Sequence, residues 1–413
     1  MITRADAEDI AAGWAHGESV RRGVEHVPVV DEFDLGFVVA SNPVERQPGA
    51  APDGGTTVID RETGRLSYWP RVPNAEVHRM YREHRDTIVG PPKTADAEVE
   101  LRRNAHRRST PNTAAHITLN GRLIIARGAK GDQEFSYHPL IADRLAAIAH
   151  GHKVRGAERH AEILVTSDAL HEADHTRAAE GLAPLTVDQA RELLGTAHLE
   201  TFQIREPGDP LGGRPVTPCE TCIEVLTQLS LIPRAATGAL FERIPPAQPN
   251  PVPDRFPDDI ASALLDAHWR PQRKPNVAAG MVAVMTADIV AVEGKEHRHE
   301  GFPAASAALE SITLLTAGRC GPGIDQRIRY FTIDPRDAMH SADVLYEFGQ
   351  VIGARLFPIG AEAETSFLTV DERGRVFALD QGGEWFIAET FDQALITLLT
   401  GGFTPRVRDD GTW

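Results

Sequence analysis

The sequence predicts an α/β protein of several domains: a central α/β/α layer flanked by two α+β units. Three observations predict it. The 413 residues exceed what one hydrophobic core organises. The middle of the chain reads hairpin, helix, strand, helix, the order of an α/β/α layer. A proline-dense stretch near residue 250 then separates the last third. These signals divide the chain into residues 1–95, 96–244, a linker over 245–252, and 253–413.

The first segment opens with a helix signal, Thr3 as N-cap before an Ala-rich stretch to Trp14. A strand is expected over 33–40. A hairpin follows from 56–60 to 65–69 around Arg61-Glu62-Thr63-Gly64. In the middle segment, His116–Leu119 and Arg122–Ile125 flank Asn120-Gly121, a dipeptide suited to a type I′ turn. Helices are expected from about 139 to 149 and from about 159 to 170. A third starts at Thr186, with Gln189 in the capping-box position. A strand over 198–204 and a helix from Cys219 to Leu229 complete the layer. After the linker, strands at 366–370, 374–379 and 384–388 and a helix at 390–400 close the chain.

Composition narrows the function. The hydrophobic share of 41% and charged share of 25% are those of ordinary globular proteins, and no apolar run is long enough to span a membrane. The first residues carry acids early and lack a basic and then apolar leader, so a cytoplasmic home is expected. A net charge of −16, heaviest after residue 245, argues against a general nucleic-acid coat protein. One basic run, Arg102-Arg103-Asn104-Ala105-His106-Arg107-Arg108, suits either a solvated linker or a phosphate backbone. The 3 cysteines, at 219, 222 and 320, are too few for a disulfide framework, and Cys320 reads as an inert buried thiol.

The chemistry gathers at His160-Ala161-Glu162 and Pro218-Cys219-Glu220-Thr221-Cys222. One imidazole and two thiolates give Zn2+ three protein ligands and leave the fourth position for water, as a catalytic site requires. Cys219 and Cys222 fall on one face at a helix start, whose positive end favours thiolates. Glu162, two residues past His160, is placed to carry protons rather than to bind metal. H-x-E triplets also occur at His16 and His198, but only His160 begins an expected helix ahead of the cysteine pair. A structural or redox C-x-x-C is the alternative. His171-Glu172-Ala173-Asp174-His175 formally satisfies the H-E-x-x-H pattern of metalloproteases, with Glu192 the nearest third ligand. Its surroundings read as a polar, exposed helix end. His297-Arg298-His299-Glu300 reads as solvated surface.

On the hairpin, His160-Ala161-Glu162 and Pro218-Cys219-Glu220-Thr221-Cys222, residues 100–235 resemble the YwqJ-like bacterial, toxin-type deaminases of the cytidine deaminase-like superfamily. That resemblance implies a five-stranded mixed sheet with helices on both faces and a metal site at two helix starts. Asn112 is a candidate base contact or a turn residue. Gly55-Thr56-Thr57-Val58-Ile59-Asp60-Arg61-Glu62-Thr63-Gly64 is similar to the YrhB-like family of small immunity-type domains. Residues 253–405 resemble the SUKH immunity superfamily through Arg255-Phe256-Pro257, His268-Trp269-Arg270-Pro271, Leu356-Phe357-Pro358-Ile359-Gly360, Val370-Asp371-Glu372-Arg373-Gly374 and Gly383-Glu384-Trp385-Phe386. The expected function is zinc-dependent hydrolytic deamination of a nucleobase, with cytosine in nucleic acid or nucleotide the leading substrate. A free nucleoside or nucleotide deaminase is one alternative; a non-enzymatic immunity protein on a vestigial deaminase scaffold is the other. The flanking domains are expected to meet a toxin or an intramolecular partner, and the last domain to cap the active site or mimic a nucleic-acid backbone.

Overall fold

The structure, a computed structural model, describes residues 2–22, 25–44, 56–62, 66–69, 73–86, 93–96, 109–234, 242–271, 275–292, 295–312 and 314–413. Helix α1 (Arg4–Arg22) runs past the expected Trp14. Its first turn is closed reciprocally: Asp6 N–H donates to Thr3 Oγ1 at 3.2 Å, and Thr3 N–H donates to Asp6 Oδ2 at 2.8 Å. The strand expected over 33–40 is instead a hairpin, β1 (His26–Phe33) and β2 (Gly36–Pro43), because Asp34-Leu35 forms a two-residue turn. With β3 (Thr56–Asp60) and β4 (Leu66–Trp69) they make a four-stranded antiparallel meander in the order β1-β2-β3-β4. Side chains alternate across it. Phe37, Val39 and Ile59 pack on Ala7 and Ala11 of α1; Val38 and Val58 pack with Val77 and Tyr81 of α2 (Asn74–His84) on the other face.

In the middle segment, β5 (Asn112–Leu119) and β6 (Arg122–Arg127) form the expected hairpin. Asn120 and Gly121 have φ of 51° and 74°, as a type I′ turn demands. Strand β7 (His198–Ile204) pairs with the other edge of β5, giving the order β6-β5-β7. Of the five strands implied by the resemblance, the described residues contain these three, all antiparallel. After the long helix α4 (Ala161–Ala179) the chain turns directly into α5 (Val187–Leu194) with no strand between them, and β7 is followed by α6 (Glu220–Gln228); residues 235–241 lie outside the described set. Thr186 and Gln189 form the expected capping box at the start of α5. Ile117 of β5, Ile163 and Val165 of α4, Val225 and Leu226 of α6 and Ile141 of α3 (Pro139–Ala147) share one core. Each such buried aliphatic contributes about 1.5–3 kcal/mol, which fixes α4 against the sheet and so fixes its N-terminus.

The third segment starts with α7 (Asp258–Asp266), onto which the proline-rich stretch docks: Gln248 N–H donates to Ser262 Oγ at 3.0 Å, and Asn250 Nδ2 donates to Asp258 Oδ1 at 3.0 Å. A seven-stranded antiparallel sheet follows, in the order β14-β13-β12-β11-β10-β9-β8. Its strands are β8 (Leu315–Ala317), β9 (Phe331–Ile333), β10 (Leu356–Glu362), β11 (Ser366–Asp371), β12 (Val376–Asp380), β13 (Gly383–Ala388) and β14 (Arg406–Val407). Helices α7, α8 (Pro275–Val290), α9 (Pro303–Ser311) and α11 (Phe391–Thr400) cover one face through Val376 and Ala378. Helix α10 (Ala342–Ile352) covers the other through Phe377 and Leu379. No described helix is long and apolar enough to cross a membrane.

Candidate metal centre

Two helix starts converge. A short 3-10 turn, Ala157–Arg159, ends at His160, whose extended backbone (φ −72°, ψ 144°) makes it the N-cap of α4. Arg159 fixes this turn by donating from Nε to the Ala129 carbonyl at 2.9 Å. Cys219, held extended after Pro218, is the N-cap of α6, and Cys222 lies in its first turn. Both N-termini aim positive dipole ends into one buried space.

There the ligand atoms of His160, Cys219 and Cys222 all lie within 4.8 Å of one another, and all three residues are buried. The sulfurs are 3.5 Å apart, and Cys222 Sγ is 3.6 Å from His160 Nδ1. A tetrahedral zinc with ordinary bond lengths puts two sulfurs about 3.8 Å apart and sulfur and nitrogen about 3.5 Å apart. The set therefore fits zinc in composition and spacing. Glu162, 1% exposed, stands beside it with Oε2 3.9 Å from Cys222 Sγ.

The buried groups of the centre shift one another's protonation strongly. Burial opposes ionisation of Cys219, but its contact with Cys222 and the His160 ring lower its pKa well below the usual thiol range; Cys222, buried beside that thiolate, is pushed well above it. Burial works against a charged His160, yet the Cys219 thiolate and Glu162 overcome it and hold the ring up to about 9. Burial raises Glu162 above the usual carboxylate range, against the pull of His160.

The centre opens into a cavity of about 360 Å³ whose far wall comes from the third segment, including Arg329, Glu362, Asp380 and Gln381. Sequence reasoning missed this wall. Arg155, 5% exposed, donates to Glu362 at 2.5 Å and Asp380 at 3.2 Å. Gln381 reaches the centre itself: Ala161 N–H donates to its Oε1 at 3.0 Å, and its Nε2 donates to Glu162 Oε2 at 3.4 Å. More than 200 residues separate these partners in the chain, so no local pattern could pair them.

Other candidates resolve otherwise. The His171–His175 stretch continues α4 to Ala179, and Ser167 and Asp168, expected to be exposed, are buried and bonded to Thr94. His171 Nε2 sits 2.9 Å from the Ser136 carbonyl, and Glu192 is exposed. Asn112 spends its amide on the fold, donating to Gly128 O at 3.0 Å and accepting from Thr113 N–H at 2.7 Å. His297 stacks on Tyr346, and His299, expected at the surface, is 4% exposed with Nε2 3.2 Å from the Met339 carbonyl. Cys320 is a buried thiol whose pKa burial raises, and it lines the cavity. The basic run 102–108 lies outside the described residues.

The family comparisons read the middle segment as a deaminase-type domain, which implies a cytidine deaminase-like fold, set between two immunity-type domains. Comparison with known families names them: residues 98–231 match the YwqJ-like deaminase model, residues 256–401 the SUKH-3 immunity protein model, and residues 5–87 the Immunity protein 35-like domain. The N-terminal match thus carries a different immunity-family name from the YrhB-like resemblance, in the same position. No curated protein and no solved structure matches the chain.

Proposed function

We propose that the chain is a zinc-dependent hydrolytic deaminase of a nucleobase, working in a toxin/immunity-type system, with His160, Cys219 and Cys222 as metal ligands and Glu162 as proton carrier. The observation that carries this reading is the meeting of one imidazole and two thiols within 4.8 Å beside a buried carboxylate. Zinc in such a set supplies a water acidified to a pKa of about 7, near neutrality. Glu162 then has two tasks. It takes the water's proton and passes it to the ring nitrogen next to the amine-bearing carbon; it takes the second proton and passes it to the departing amine, which leaves as ammonia while a carbonyl replaces it. A carboxyl raised by burial both gives and takes a proton readily. The cytidine deaminase-like fold supports cytosine as the base. The immunity-type segments support a toxin, or a part of this same chain, as the partner of the flanking domains.

The test is ammonia release from single-stranded DNA, RNA and nucleosides, with zinc measured alongside. Glu162→Ala should lose at least about a hundredfold in turnover while keeping its zinc, and His160→Ala should lose the zinc. Turnover that survives in the Glu162 variant rejects the mechanism.

A further inference from the structure

Gln381 occupies the tip of the β12–β13 hairpin, 9% exposed, and brings a carboxamide onto two groups of the centre at once. Its oxygen accepts the Ala161 N–H at 3.0 Å; its nitrogen donates to Glu162 at 3.4 Å. The pair is therefore complementary to a planar O=C–N–H unit. Cytosine contains that unit, O2=C2–N3, directly beside the carbon that bears the amine, and N3 presents an N–H once it has been protonated. Gln381 thus stands where a base edge in that state would bond. Resting on the deaminase reading of this centre, we propose that the C-terminal domain is an inhibitor acting in cis: Gln381 is a pseudo-base that keeps the site shut, and the partner of the 380–385 hairpin is the deaminase domain of the same chain.

The hairpin is seated rather than leaning on the site. A Cβ on Gly128 would lie 2.4 Å from the Gln381 carbonyl oxygen, and one on Gly156 would lie 2.4 Å from Trp385 Cζ2. Arg155 clamps the same hairpin through Asp380 and strand β10, one strand removed from it, through Glu362. Arg205 donates to the Glu364 carbonyl at 2.6 Å, and Arg329 pairs with Glu220 across the cavity at 3.1 Å. The cavity of about 360 Å³ is at the small end of ligand pockets, and Gln381 stands in its wall beside Glu162.

The experiment uses the full chain and two variants, Gln381→Ala and Gln381→Glu. The second keeps the shape but turns a second carboxylate oxygen toward Glu162, so a role in mere space filling would leave it unchanged. Two readouts are taken: deamination of a single-stranded cytosine-containing oligonucleotide by the zinc-loaded proteins, and the rate at which a thiol reagent labels Cys219 and Cys222 in the metal-free proteins, mapped by mass spectrometry. The proposal expects both variants to label at least tenfold faster and to turn over at least tenfold faster than the parent, the gain vanishing when Glu162→Ala is added. Unchanged labelling in both variants overturns it. So does turnover that falls in the variants, which would make Gln381 a positioning residue for Glu162. Faster labelling with no turnover in any protein supports the plug and counts against the deaminase reading alone.

Discussion

The two flanking domains, both of immunity type, deploy their charges in opposite ways. In the N-terminal domain the ion pairs are mostly superficial: Arg4 with Glu8, Arg79 with Glu76 and Glu83, and Arg82 with Asp34, all on side chains that are roughly half exposed. After that domain, Lys93 and Thr94 bond to Asp168 of α4 through their backbone N–H groups. The C-terminal domain instead sinks charges into its contact with the middle domain. Arg155 meets Glu362 and Asp380, and Glu206 meets Lys295 at 2.8 Å, with side chains 10% exposed or less. Buried pairs of this kind add little net stability over an apolar contact, but removing one partner is costly, so they fix position. One domain keeps most of these charges at its surface; the other buries them against the middle domain.

Three measurements bear on that contrast, in order of expected size. Lys295→Met strips the cation from Glu206, a carboxylate that also accepts the Val344 N–H at 2.7 Å. A loss of about 3 to 4 kcal/mol is expected by urea unfolding, in the lower half of the range for a broken buried pair. The lower half applies because burial has already raised Glu206 to about 7, so it can take up a proton. A loss under about 1 kcal/mol would erase the contrast. Next, burial lowers His299 of the C-terminal domain from 6.5 to about 4, so the unfolded chain binds more protons than the folded one between those values. Its contribution is complete above pH 6.5 and is lost as pH falls toward 4, about 3 kcal/mol in all. Hydrogen exchange at stepped pH should show that loss in residues 295–360, and His299→Gln should flatten it; a flat profile in the parent chain would show that the ring is not held neutral. Last, Arg79→Ala in the N-terminal domain should leave the urea unfolding midpoint indistinguishable from the parent's despite losing two ion pairs. A larger effect would mean that the exposed network matters as much as the buried one.

Much of this was legible in the sequence because its signals are local. Asn120-Gly121 names its own turn, Thr186 and Gln189 name a helix start, and His160, Cys219 and Cys222 carry side-chain chemistry specific enough to be paired across the chain. Failures came where one local pattern admits two structures. Phe33 to Ala40 alternates like one strand, yet the turn at Asp34-Leu35 divides it. Ser167 and Asp168 look like a polar helix surface, and are buried because Thr94 comes from elsewhere to satisfy them. Gln381 shows the limit most plainly. A glutamine before two glycines reads as a turn, and only the packing of two domains brings it to Glu162.

Gly156 carries a consequence for how such chains can be recombined. With φ of +63° and an indole 2.4 Å from where its Cβ would stand, it is matched to one particular hairpin. A foreign immunity domain grafted onto this deaminase would have to present a flat aromatic ring at that spot or leave a hole over the centre. The fusion is a fitted pair, and exchange of modules between such chains would have to carry both halves of the seam together.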